Sequence, residues 1–170
     1  KFGMGAHRVL AVSFVPGSES FSTAGNDSSV IIWDANDGNR SRELKFHKGK
    51  VNALSFHPHD PVLLSVGSDK QWAFWNLNSG KLLHSRRGHA SQILTSAISP
   101  DGKSFATAGS DLSIILWKYP QGEVIIKLKG HEKAVTTVVF SPDGKILASG
   151  SQDNKIFLWK LDSKISKIPF

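Results

Sequence analysis

Three times along the chain a histidine, a hydroxyl residue and an aspartate recur in the same order and at the same separations: His47, Ser65 and Asp69; His89, Thr107 and Asp111; His131, Ser149 and Asp153. These are the residue types of a nucleophilic triad, in which a hydroxyl attacks, an imidazole takes its proton and a carboxylate orients the imidazole. A working triad needs its hydroxyl open to substrate beside donors for an oxyanion, and one copy suffices. Here each copy is followed, six residues after the aspartate, by a tryptophan: Trp75, Trp117 and Trp159. Repetition with an aromatic partner favours a scaffold over a reaction centre. A partial fourth set holds Thr23, Asp27 and Trp33, with Gly5 in the histidine slot and His7 two residues out of phase.

Other chemistry has thinner support. His57-Pro58-His59-Asp60 contains two metal-ligand types, but by register it fills the place of the turn Ser141-Pro142-Asp143-Gly144, and two exposed histidines do not close a coordination sphere. No glycine-rich phosphate loop or paired-carboxylate motif is present, and the chain has no cysteine for a disulfide or thiolate site. No enzyme activity, metal or cofactor is expected.

What positions these residues is a repeat. Trp33, Trp75, Trp117 and Trp159 fall every 42 residues, and the aspartates and hydroxyls keep the same step. Within the last unit Ala134–Phe140, Lys145–Ser149, Ile156–Trp159 and Lys164–Phe170 read as short strands, the first ending at Ser-Pro-Asp-Gly and the middle two joined by a tight turn at 150–154. Helical periodicity is missing, so the reading is all-β, in four-stranded antiparallel sheets over approximately 4–45, 46–87, 88–129 and 130–170. One such sheet cannot bury both faces, and stacking neighbours solves that. Trp72 aligns with Val30, Ile114 and Ile156 and is expected to pack between sheets, with exposed recognition as the alternative.

The unit Gly130–Lys160, GHEKAVTTVVFSPDGKILASGSQDNKIFLWK, resembles the WD40 repeat, whose members form β-propellers, and the likeness covers essentially the whole chain. Only Trp33-Asp34 shows the literal dipeptide. The resemblance implies a relay in which aspartate binds histidine, histidine binds the hydroxyl and the hydroxyl accepts from the indole: Asp69-His47-Ser65-Trp75, Asp111-His89-Thr107-Trp117 and Asp153-His131-Ser149-Trp159, with Asp27, Thr23 and Trp33 left in the first unit. It also implies a platform for partner proteins or peptides. By motif position the contact residues are Arg8, Leu10 and Asn26; Lys50, Asn52 and Ser68; Gln92, Leu94 and Ser110; and Ala134, Thr136 and Gln152. That set holds two cations and no carboxylate, which favours an acidic or phosphorylated ligand.

Family members typically close with seven or eight blades. Four blades alone would expose faces such as those bearing Trp33 and Trp159. Phe2, Leu44, Arg86, Leu128 and Phe170 keep the 42-residue step, so the chain starts and stops at one phase and holds four whole units. The expectation is a ring completed by further blades of the same parent chain, ahead of two chains forming eight blades or a strained closure of four.

At 39% hydrophobic and 21% charged residues the composition is that of an ordered globular chain, and no apolar run is long enough to span a membrane. With no cysteine an intracellular setting, cytoplasm or nucleus, is expected. The formal charge is +7, and the outer-strand segments 39–46, 81–88, 123–130 and 163–170 together hold +8. Lysine and arginine on edge strands discourage aggregation, and a basic rim that binds RNA or ribonucleoprotein is the competing reading.

Overall fold

The computed structural model describes residues 8–162 and 166–168. It contains four antiparallel meanders of four strands each. They are β1 (Val9–Phe14), β2 (Ser20–Gly25), β3 (Ser29–Asp34) and β4 (Arg40–Lys45); β5 (Val51–Phe56), β6 (Val62–Gly67), β7 (Gln71–Asn76) and β8 (Leu82–Arg87); β9 (Ile93–Ile98), β10 (Ser104–Gly109), β11 (Ser113–Lys118) and β12 (Glu123–Lys129); and β13 (Val135–Phe140), β14 (Ile146–Ser151), β15 (Ile156–Lys160) and β16 (Ser166–Lys167). The fourth strand expected at Lys164–Phe170 is paired at Ser166–Lys167, and the rest of that range apart from Ile168 lies outside the described residues, as do Phe2, Gly5 and His7.

Burial follows strand position. All six residues of β6 are buried, whereas all six of β8 are exposed. The middle strands lie between neighbouring sheets and therefore read as continuous apolar runs, while the outer strands face solvent on an open edge. Inner strands contact in the order β1, β5, β9, β13.

Three shared cores join the sheets: Val30, Ile32 and Leu44 with Leu63 and Trp75; Val66, Trp72 and Phe74 with Phe105 and Trp117; Ile114 and Leu116 with Phe157 and Trp159. Each motif tryptophan from Trp75 onward thus leans on the sheet before its own. That direction corrects one expectation. Trp33 and Trp159 are 3% and 4% exposed, because Trp159 is packed into the core shared with the third sheet and Trp33 stacks on Phe21, 6.2 Å between centroids, beneath the Arg40 guanidinium. The most exposed large apolar residues among those described are Val12 (67%) and Phe14 (69%) on the first sheet and Val139 (58%) and Ile156 (70%) on the last. Trp72 is buried edge-on against Phe105 and Trp117, so the exposed-recognition alternative fails; its indole N–H has no partner among the described residues.

A bulge recurs at the start of every inner strand. The ladder skips one residue between Val9 and Ala11, Val51 and Ala53, Ile93 and Thr95, and Val135 and Thr137. The unpaired residues are Leu10, Asn52, Leu94 and Thr136, released from the pleat and re-aimed.

Candidate functional site

In three sheets the hydroxyl oxygen is the hub of a buried chain of hydrogen bonds. Trp75 Nε1–H donates to Ser65 Oγ at 2.9 Å, Ser65 lies 2.8 Å from His47 Nε2, and His47 Nδ1 lies 2.9 Å from Asp69. The third sheet gives 2.8, 2.8 and 3.0 Å for Trp117-Thr107-His89-Asp111, and the fourth 2.9, 2.8 and 2.9 Å for Trp159-Ser149-His131-Asp153. A carboxylate only accepts, which places the imidazole proton on Nδ1 and makes Nε2 the acceptor of the hydroxyl proton. The hydroxyl then accepts from the indole. Both its proton and a lone pair are used, and Ser65, Thr107 and Ser149 are buried, so none is presented for nucleophilic attack.

The aspartates also close the turn. Asp69 accepts from the N–H groups of Lys48 and Gln71, Asp111 from those of Ala90 and Ser113, and Asp153 from those of Glu132 and Lys155. Burial works against ionisation of each, but it is outweighed by the donors: chiefly the His47 and His89 imidazoles for Asp69 and Asp111, and the Glu132 N–H with His131 for Asp153. All three carboxyls are held below the usual carboxylate range. In the first sheet Trp33 donates to Thr23 at 2.8 Å, while Asp27 turns to Ser29.

The residue after each turn aspartate is left-handed: Ser28, Lys70, Leu112 and Asn154, with φ between 63° and 69°. Leu112 is the costly member of this slot and is 40% exposed beside Ser110. Sequence reasoning passed it over, although it lies on the 42-residue step.

The motif-position residues are gathered by the backbone. The N–H of Asn26 donates to the carbonyl of Arg8, Ser68 to Lys50, Ser110 to Gln92, and Gln152 to Ala134, at 2.8 to 3.1 Å. Each pair flanks its sheet's bulge residue, Leu10, Asn52, Leu94 or Thr136, and none of the twelve is buried. Three are also engaged within the fold: Asn26 Oδ1 accepts the Arg8 N–H, the Asn52 amide donates to the Ile93 carbonyl of the next inner strand at 2.6 Å, and the Thr136 hydroxyl donates to the Gly150 carbonyl at 3.4 Å.

On the rim several arginines are already in use. Arg86 Nη1 donates to the Gly122 carbonyl at 2.8 Å, Arg40 lies over Trp33 and Arg42 lies against Gly80. At the other end of the sheets, the expected pair of exposed histidines is corrected. His57 is buried, its Nδ1 accepting the N–H groups of His59 and Asp60 and its Nε2–H donating to the Gly102 carbonyl at 3.0 Å; only His59 is exposed. With both nitrogens of His57 occupied, the turn offers no pair of free imidazoles to a metal. No helix among the described residues is long and apolar enough to cross a membrane.

Compared with protein families, the chain matches the WD domain, G-beta repeat four times, at residues 2–34, 38–76, 80–118 and 122–160. From the second match on, each unit takes the outer strand of one sheet with the first three strands of the next, so the sequence repeat is staggered by one strand from the structural one. No curated protein matches the chain.

Proposed function

The chain belongs to the WD40 repeat family, and we propose that it serves as a non-enzymatic scaffold that binds partner proteins or peptides on the end of the sheets carrying the bulge residues. WD40 repeats generally mark protein-interaction scaffolds. The observation that carries the choice of surface is the repeated backbone pairing that sets three variable, accessible side chains at the same corner of all four sheets. Arg8 and Lys50 stand among them without a carboxylate, which supports an acidic or phosphorylated ligand. Affinity purification with mass spectrometry tests this. A Lys50→Glu, Gln92→Glu, Thr136→Glu variant should lose the partners that the parent protein recovers, and an unchanged set refutes the assignment.

The same reading has further blades, from the same chain or a second copy, covering the bare faces at Val12 and Phe14 and at Val139 and Ile156. Light scattering of the 170-residue chain should show association, and a stable folded monomer refutes it. The rival reading, RNA recruited by the rim, draws on the exposure of all six residues of β8, Arg86 and Arg87 among them. It requires affinity that falls steeply with salt and that drops when Arg87, the arginine not tied to Gly122, is neutralised.

A further inference from the structure

The turns on the face opposite the bulge residues are not alike. In the third and fourth sheets Ser-Pro-Asp-Gly closes on itself, Ser99 and Ser141 each donating to the aspartate two residues on at 2.6 Å. The first and second sheets instead carry Val15-Pro16-Gly17-Ser18 and His57-Pro58-His59-Asp60-Pro61. These departures are neighbours, and between them, with Leu77 and Asn78 of the β7–β8 turn, lies a cleft of about 320 Å³. Its apolar lining includes Pro16, Phe56, Pro58 and Pro61; its polar residues are Ser18, His59, Asp60 and Asn78, with the hydrogen-bonded His57 behind them. A concave, mainly apolar site with a few convergent polar groups is the usual form of a binding site.

The turn that forms one wall is fixed in advance. His57 caps it from within and ties it to Gly102, the Tyr119 ring lies 4.4 Å from His57, and Tyr119 Oη donates to Asp60 Oδ2 at 3.0 Å. Burial first, and then the Asp60 carboxylate, push the Tyr119 phenol up to about 12, so it stays a neutral donor. Preorganisation of this kind lowers the ordering cost of binding. Two acceptor sets remain: Asp60 Oδ1 and the ring nitrogens of His59 make no hydrogen bond among the described residues. The surrounding turns of the first two sheets hold Glu19, Asp34, Asp37 and Asp60 against Arg40, Lys81 and the Arg42 that packs on Gly80, an excess of one carboxylate, and the Arg40 guanidinium is occupied over Trp33. In a chain of formal charge +7 this corner is acidic.

We propose that the cleft receives an arginine side chain presented by an extended segment of a partner protein, its guanidinium meeting Asp60 and its aliphatic stem lying over the prolines. A guanidinium suits the site better than an ammonium, because it forks onto a carboxylate, lies flat on an imidazole and is weakly hydrated. The stem covers apolar wall. The site is independent of the bulge-side surface, and neither stands or falls with the other.

The probe is N-acetyl-arginine methylamide titrated into the isotope-labelled protein, with amide shifts followed by NMR. Saturable shifts are expected at Ser18, His59 and Asn78, with Lys50 and Ser110 unmoved. The citrulline and lysine counterparts, and the Asp60→Asn variant, should each weaken binding by about tenfold, the scale of losing a charge-assisted forked pair. Asparagine keeps an acceptor for Tyr119; should its melting temperature fall nonetheless, His59→Ala, which gives up no hydrogen bond, should weaken binding in a protein of unchanged stability. Equal binding of citrulline or lysine, shifts confined to the bulge side, or no shift at these three residues overturns the assignment.

Discussion

Thr107→Val removes the hub of one relay while keeping its volume. Thr107 is fully buried, accepts from Trp117 Nε1 at 2.8 Å and sits 2.8 Å from His89 Nε2. Valine leaves an indole donor and an imidazole acceptor unpaired in the core, each at about 1–3 kcal/mol, so the loss should be about 2–6 kcal/mol. The first sheet supplies the control. Thr23 accepts from Trp33 at 2.8 Å and has no histidine partner among the described residues, so Thr23→Val strands the indole donor and should cost about 1–3 kcal/mol. Urea titrations followed by tryptophan fluorescence give both values from midpoint and slope. The difference between them reports what the histidine member adds. Equal losses, or a Thr107→Val loss below about 0.5 kcal/mol, within the range of an ordinary surface change, would refute the claim that the hydroxyl is held at both ends.

Three further outcomes follow from the same geometry. Asp69, Asp111 and Asp153 titrate below the ordinary carboxylate range when folded, so the stability they supply is complete above the unfolded value of about 3.9 and is lost as pH falls from there toward their folded values; acid titration of the melting temperature should show a decline that flattens in an Asp69→Asn, Asp111→Asn double variant. Leu112→Asn should raise stability by about 0.5–1 kcal/mol, since asparagine tolerates the left-handed region at φ 64°, and calorimetry should find the melting point up by about 1–4 °C. Gly88→Ala should destabilise by about 1–3 kcal/mol, because the added methyl meets the ring of Trp117, and a near-ultraviolet dichroism change should accompany the lower melting point.

The relay was legible because its members are chemically distinctive and the step never varies: tryptophan, aspartate and hydroxyl stand out at any spacing. Direction was not legible. A recurring tryptophan says that an indole is buried, but not on which neighbour, and so Trp159 was read as facing open space when it is packed against the third sheet. His57 was missed for a related reason. Its partners are two N–H groups of its own turn and a carbonyl 45 residues away, and backbone atoms leave no trace in residue types. The bulges were equally silent, since Leu10, Asn52, Leu94 and Thr136 share no chemistry. Their common property is a missing rung in the ladder.

That missing rung separates two kinds of constraint. A residue outside the pairing register contributes little to the sheet's own cohesion, so its side chain can change with small effect on folding. Leu10 and Leu94 have no polar side-chain group, whereas the Asn52 amide is bound to Ile93 and the Thr136 hydroxyl to Gly150. On the proposed binding face, Leu10 and Leu94 are therefore the sites open to diversification, by evolution or by a library, at little risk to the framework.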